Sequence, residues 1–428
     1  MIDSGLFQGL KELRLRNWRR LPIEPADLDA VVITHAHLDH CGYLPRLVKD
    51  DFRGRIHLTE NTAKLAAVVL RDSARIQTED AKYAAKEGFS KHNPPLPLYD
   101  EHDANQAINQ FQSHPFGQRI KVAEQTFVTF YPAGHILGAA FLHVEFFGKN
   151  LIFSGDLGRD NHPLLVHPAA IPQLALDAIV TESTYGDREH PDEDTLAELG
   201  PALQRVAARG GTAVLPVFAV GRAQEILHAI VLLKANGVLP HSLPVYLDSP
   251  MAIHTTDLYD RHIGEHRLNA AQCRDMEHVA KMTRSADESK AIAMQHGPKI
   301  VLAAAGMATG GRVLHHLVQY LGHHRNMVVL TGYQAPGTRG ASLSDGATKL
   351  RIHGQDVPVR AEVVQMQSAS AHADASQLMD WLRAIPAPPR RVFVTHGDMG
   401  ASDALRHRIE TELRWQAMVP EHGSTWAA

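Results

Sequence analysis

The segment Thr34-His35-Ala36-His37-Leu38-Asp39-His40 sets three imidazoles and a carboxylate within six residues, His35 to His40. A short β-branched run, residues 28–34, precedes it, and a helical pattern from about Gly42 to Lys49 follows. In an extended segment, residues i and i+2 point to the same side, so His35 and His37 can grip one metal ion. The chain then turns, and Asp39 and His40 can face a second. A carboxylate at a helix start also suits the helix dipole. Imidazole and carboxylate at this density fit zinc held without thiolates. The pattern H-x-H-x-D-H should arise by accident in roughly one per cent of chains this rich in histidine.

One motif cannot build a two-metal site, so further donors must come from elsewhere. His135 lies in Pro132-Ala-Gly-His-Ile-Leu-Gly138, Asp156 in Phe153-Ser-Gly-Asp-Leu-Gly158, and His396 in Val394-Thr-His-Gly-Asp398. Each sits where an expected strand ends. Alone, a His or Asp after a strand is more often a turn residue. Together with the first cluster the three point to a metal centre. Of the 28 histidines most are ordinary; His315–His316 and His323–His324 lie in or beside an expected helix and should face solvent.

The elements that must position these residues follow from periodicity. Residues 56–59 read as a strand and residues 61–90 as a helix, broken around Asn93–Pro97. Phe127–Tyr131, Phe141–Phe147, Leu151–Phe153 and Ala178–Thr181 read as short strands separated by Gly, Pro and Asp turns. From about 190 to 355 the pattern changes. Strands Thr212–Pro216, Val245–Asp248, Lys299–Ala304 and Met327–Leu330 alternate with helices at 194–209, 222–236 and 312–321, with helical material up to 296. That alternation predicts a parallel sheet. The tail returns to strand Ala361–Met366, helix 374–384, strand Arg391–Thr395 and helix 401–413. With 428 residues the chain fits two domains, or one carrying a large insert.

Composition limits the alternatives. Cys41 and Cys273 are the two cysteines, which excludes a disulfide framework and a thiolate-rich zinc site and suits a reducing cytoplasm. No apolar run reaches about 18 residues, so no membrane span is expected, and the N-terminus lacks a signal-peptide pattern. A net charge of −4 means that a polyanion must be met by local basic clusters or bound metal.

At this point the residues show a family resemblance. Asp3, the His35–His40 cluster, His135 and Asp156 resemble, in order, the four motifs of the metallo-β-lactamase fold. Glu182 in Thr181-Glu-Ser-Thr-Tyr-Gly186, His372 in Ser370-Ala-His-Ala-Asp374, and His396 are similar to motifs A, B and C of the β-CASP group. The blocks Pro216–Glu225, Gly306–Arg312 and Gly332–Gly340 are similar to the same group, so the resemblance covers almost the whole chain. The nearest kin by this reading are bacterial and archaeal homologues of the nuclease subunit of the mRNA 3′-end cleavage and polyadenylation factor.

The resemblance implies an α/β fold: a metallo-β-lactamase αββα sandwich with an inserted α/β β-CASP domain. Its parts would be 1–189, the 190–355 insert, and 356–428. It implies that two zinc ions are bound, one by His35, His37 and His135, the other by Asp39, His40 and His396, with Asp156 between them. Asp3 would support the metal loop. A water made acidic by both cations would attack the phosphate. His372 would be the acid for the leaving oxygen, oriented by Glu182; Asp39 counts with them among the catalytic residues.

The insert would lie as a lid over the metal site, with single-stranded RNA threading the cleft. Arg222, Arg312 and Arg339 would hold phosphates in Gly-rich turns. The expected activity is a cytoplasmic endoribonuclease of RNA processing or decay, with 5′–3′ exonuclease action and a homodimer both compatible. A DNA-processing β-CASP enzyme is the alternative, disfavoured because DNA-acting members lack a His at motif C. A catalytically silent scaffold would have lost ligands, and none is missing here. A thioester or lactam hydrolase is disfavoured by the large insert and motifs A to C. The family pattern carries further strands before Asp3. A misassigned or trimmed start accounts for this; taken as written, the first sheet should expose an unpaired edge.

Overall fold

The structure is a computed structural model that describes residues 1–88, 93–191, 195–368 and 370–426. Residues 89–90 of the expected helix 61–90, and residue 194 of the expected helix 194–209, lie outside the described residues. The chain forms two compact units. One comprises Met1–Phe7, Leu15–Glu189 and Ala371–Ala428; the other comprises Gln8–Arg14 and His190–Ser370.

The first unit holds two sheets. A small parallel sheet takes strands Ala30–Val32, Arg55–Thr59 and Phe111–His114 in that order. The first residues run beside it: Val32 N–H donates to Met1 O, and Asp3 N–H donates to Val32 O. The second sheet has seven strands. Arg119–Ala123, Thr126–Pro132, Ala140–Phe146 and Lys149–Phe153 form an antiparallel meander, with Arg119–Ala123 at the edge. Ala178–Thr181, Arg391–Val394 and Ala417–Met418 extend it by parallel pairing. Val32 of the small sheet packs with Val128, Phe130, Ala140, Leu142 and Val144 of the meander. Apolar side chains that alternate along the strands are thus shared between two sheet faces.

Helices cover this core. Glu60–Glu87 starts on Thr59, whose hydroxyl accepts from Thr62 N–H, and stops at Gly88 in a left-handed conformation. Ala375–Arg383 is capped by Asp374 in a reciprocal box with Gln377. Helix Glu101–Asn109 and strands Phe111–His114 and Arg119–Ala123 were not among the expected elements.

The second unit is built on a six-stranded parallel sheet. Its order is Lys281–Met282, Val245–Leu247, Lys299–Ala303, Thr212–Pro216, Met327–Leu330 and Glu362–Gln365. The two central strands, Thr212–Pro216 and Lys299–Ala303, are buried at every position. Parallel strands covered on both faces read as near-continuous apolar runs, which is the pattern these segments show. The ladder from Met327–Leu330 to Glu362–Gln365 carries residues 356–370 with this unit, beyond the boundary expected at 355. Among the described residues no helix is long and apolar enough to cross a membrane.

One expectation is corrected here. His316 does not face solvent: it is 4% exposed and its Nε2 lies 2.6 Å from Asp248 Oδ2. A buried carboxylate needs a partner, and the histidine supplies it.

Candidate metal centre

Strand Ala30–Val32 ends before Thr34, and the chain bends at Thr34 and Ala36 on its way to His37, the N-cap of helix Leu38–Cys41. This delivers His35 and His37 to one side. His37 Nδ1 lies 3.1 Å from His35 Nε2 and 3.1 Å from His135 Nε2. Asp156 Oδ2 lies 3.4 Å from His35 Nε2 and 3.5 Å from His135 Nε2. Donors about 2.0–2.2 Å from a tetrahedral zinc are about 3.3–3.6 Å apart. The two Asp156 spacings fall in that range and the two His37 spacings, at 3.1 Å, lie just below it, so the group is close to the size that holds one ion.

The second group forms on the helix side. His40 Nε2 lies 2.9 Å from His396 Nε2, and Asp39 Oδ2 lies 3.6 Å from the same His396 nitrogen. Asp156 Oδ1 lies 3.3 Å from His40 Nε2 and 3.3 Å from His396 Nδ1. The two oxygens of one carboxylate therefore serve both groups. Asp156 Oδ1 is buried and accepts no hydrogen bond. A buried carboxylate oxygen without a donor calls for a cation.

The supports lie close behind. Asp3 Oδ1 accepts from Thr34 N–H at 2.7 Å, and Oδ2 accepts from Thr34 Oγ1 at 2.8 Å and from His40 Nδ1 at 2.7 Å. That contact puts the His40 proton on Nδ1 and leaves Nε2 for the centre. Thr34 Oγ1 also lies 3.1 Å from His35 Nδ1, which orients that ring in the same way. Asp3 and His396 both take left-handed backbone, φ 54° and φ 56°, a strained choice for residues with a Cβ. The next turn depends on glycine: a Cβ on Gly5 would sit 1.6 Å from Asp39 O. At the Asp156 motif, a Cβ on Gly158 would sit 2.0 Å from Gly134 O, where the two ligand loops cross.

Glu182 is buried beside them. Its Oε1 accepts from Leu157 N–H at 2.6 Å, and both oxygens lie 3.2 Å from His372 Nδ1. His372 Nε2 then faces the centre, 4.0 Å from Asp156 Oδ2. Residues 372 and 158 form a backbone bridge, which fixes this approach.

Electrostatics divide the histidines. Burial lowers the pKa of His35 and His135 and brings His37 to about 3, so these rings present neutral donor nitrogens. Burial acts the same way on His40 and His396, but nearby carboxylates outweigh it. Asp156 and Asp3 raise His40, and Asp156 and Asp39 bring His396 to about 9. The positive charge these carboxylates hold on the rings is what a metal cation would supply in its stead. His372 is also raised: burial opposes the proton, and the Glu182 charge and hydrogen bond prevail.

All ten residues expected at the site, Asp3, His35, His37, Asp39, His40, His135, Asp156, Glu182, His372 and His396, lie in the first unit. Nine converge directly, and Asp3 stands behind them. Three contributors were not singled out from sequence. Thr34 braces Asp3 and His35. Ser154 Oγ accepts from Glu182 N–H at 2.9 Å. Thr184 Oγ1 donates to His396 O at 3.1 Å. Each hydroxyl lies within a segment quoted for its ligand or acid, and that adjacency was the available signal.

The three arginines expected to bind phosphate lie in the second unit and are engaged by protein acceptors. Arg222 is buried and paired with Glu225. Arg312 NH1 donates to Asp248 Oδ1 at 2.7 Å and to Thr283 O at 3.0 Å, and NH2 to Arg284 O at 3.0 Å. Arg339 Nε donates to Arg351 O at 2.8 Å. As the structure stands, each guanidinium holds the fold around it.

Comparisons with known families cover most of the chain. The metallo-beta-lactamase superfamily model matches residues 1–197, the Beta-Casp domain model residues 223–343, and the Zn-dependent metallo-hydrolase RNA specificity domain model residues 356–420. Ribonuclease TTHA0252 of Thermus thermophilus is 35% identical, over 98% of this chain and 94% of its own. An RNase J-like protein of Methanocaldococcus jannaschii is 31% identical, over 99% of this chain and 93% of its own. Transcription termination factor FttA of the same organism is 29% identical over 98% of this chain, which spans 66% of that longer protein. The superfamily fold implies divalent-metal binding, and the His/Asp groups described above are the candidates for it. A fold of two sheets and a parallel-sheet unit, with the Thermus ribonuclease and the RNase J-like protein matched along nearly their whole length, places this chain in the β-CASP ribonuclease family of the metallo-β-lactamase superfamily.

Proposed function

We propose that the protein is a zinc-dependent endoribonuclease that hydrolyses phosphodiester bonds of single-stranded RNA, with some 5′–3′ exonuclease action, in RNA processing or decay. The observation that carries this reading is Asp156, whose two oxygens face two separate groups of histidines. His35, His37 and His135 would hold one zinc, and Asp39, His40 and His396 the other. Two such ions would acidify the attacking water and neutralise charge building on the phosphate.

The rest of the chemistry belongs to the chain. Glu182 holds His372 by Nδ1, so a proton on Nε2 points toward the centre. Burial works against that proton, but the Glu182 charge and hydrogen bond outweigh it and raise the pKa of His372, which favours a proton held toward the departing oxygen of the cleaved bond. Asp3 and Thr34 keep His40 and His35 in the tautomers that present Nε2. RNA over DNA is supported by the relatives' names and by the RNA specificity model over residues 356–420.

The test is incubation of zinc-loaded protein with end-labelled single-stranded RNA and with DNA of the same sequence, read on a sizing gel. Internal RNA cuts with DNA spared is the expected result. No cleavage of either, with two zinc ions bound, would overturn the enzymatic reading.

A further inference from the structure

We propose that Trp18, with Arg16, Arg19 and Arg20, forms a stacking platform for single-stranded RNA outside the metal centre. The proposal rests on the ribonuclease reading above and adds a place where the substrate is held. Trp18 is 53% exposed, and Leu15 in the same turn is 50% exposed. Residues Leu15–Arg20 carry three arginines and no acid, within a chain of net charge −4.

These arginines differ from the three in the second unit. Among the described residues, neither Arg16 nor Arg19 has a carboxylate partner. Arg20 meets Glu24 in an exposed pair, with 82% and 58% of the side chains accessible, which is a weak hold. The guanidinium groups around Trp18 are therefore available for phosphates. An aromatic face flanked by cations accepts any base on its π surface and the backbone beside it. A basic segment without acids, in a chain of net charge −4, is complementary in charge to a polyanion.

The platform is held in place. Buried Asn17 accepts from Phe7 N–H at 2.9 Å and donates to Phe7 O at 2.9 Å. Arg16 lies over the Phe7 ring at 5.5 Å. From Phe7 the chain leads back to the metal loop: Leu6 N–H donates to Leu38 O at 2.9 Å, and Ser4 N–H donates to His40 O at 2.7 Å. Phe7 lies four positions along the chain from Asp3, a reach of at most about 14 Å. A strand stacked on Trp18 is thus anchored close to the helix that carries Asp39 and His40.

The experiment measures binding of a short fluorescent single-stranded RNA by anisotropy, using zinc-loaded protein with His372→Ala so that the RNA stays intact. Trp18→Ala should weaken binding roughly 5- to 150-fold, the range for one stacked base. Trp18→Tyr should retain most of the affinity. Arg16→Ser with Arg19→Ser should flatten the dependence of log K on log salt by about 0.7 for each phosphate no longer neutralised. In protein with His372 intact, Trp18→Ala should leave hydrolysis of bis-p-nitrophenyl phosphate unchanged, because that diester is too small to span both places. Unchanged RNA affinity in Trp18→Ala, with diester hydrolysis intact, overturns the platform and leaves the ribonuclease reading standing. A change only in sedimentation would overturn it too, marking a protein interface. If unsubstituted protein neither binds RNA nor hydrolyses the diester, the ribonuclease reading itself fails and the platform with it.

Discussion

Asp3→Asn tests how the metal loop is tuned. The amide keeps the shape of the carboxylate, and its oxygen can still accept from Thr34 N–H. Its nitrogen, however, would face His40 Nδ1, now at 2.7 Å from Asp3 Oδ2. Two donors cannot share that position. The ring would move its proton to Nε2, the atom 2.9 Å from His396 Nε2, and so lose the lone pair aimed at the centre. Loss of such an orienting partner typically costs 10–100-fold in metal affinity, or about 1.4–2.7 kcal/mol. The loss should fall on the group of Asp39, His40 and His396. His35, braced by Thr34, keeps its partner, so the group of His35, His37 and His135 should lose less. Competition with a chelating dye, with bound metal counted by mass spectrometry, would resolve one weakened equivalent and one nearly normal. Two equivalents of unchanged affinity would refute the tautomer argument. Equal loss of both would show that Asp3 holds the whole loop rather than His40.

Three further outcomes follow from the geometry. His396→Ala should lose one metal and cleavage together, whereas His372→Ala should keep both metals and slow cleavage about 10²–10⁴-fold; metal loss in the second variant would remove the acid role. Arg312→Ala leaves Asp248, which is fully buried, with His316 and Ser289 as its remaining partners, and should cost about 1.5–3 kcal/mol on thermal or urea unfolding. An unfolding midpoint like that of the parent protein would show the arginine is not structural. His57 is brought to about 4, first by burial and then by the charge of His114, so its folded state resists protonation. The unfolded chain binds that proton near pH 6.5, so stability should fall as pH drops from about 6.5 to about 4. A His57→Phe variant with an equally steep loss over that window would show that another group is responsible.

The metal centre was legible because its chemistry restricts the residue types and the fold restricts their places. Imidazoles and carboxylates at strand ends stand out from apolar runs, and the two-residue spacing of His35 and His37 carries its own geometry. What escaped depends on distant partners. His316 read as a surface histidine because Asp248, 68 residues away, shows nothing in the local pattern. Arg312 read as a phosphate ligand because a Gly-rich turn looks the same whether its arginine serves a ligand or a buried carboxylate 64 residues away. Strand Glu362–Gln365 read as part of the tail, since its pairing with Met327–Leu330 is decided by the sheet and not by its own four residues. The antiparallel hairpin Lys349–Ile352 and Gln355–Pro358 was missed although its burial alternates, because four residues in each strand are the fewest that can show a period of two.

The two groups of metal donors close at different times during synthesis. His35, His37, His135 and Asp156 all leave the ribosome in the first half of the chain. The second group waits for His396, 356 residues after His40. A nascent chain can therefore assemble only half of its centre while still attached to the message that encodes it. If cleavage needs both halves, the template is out of danger until His396 has been made.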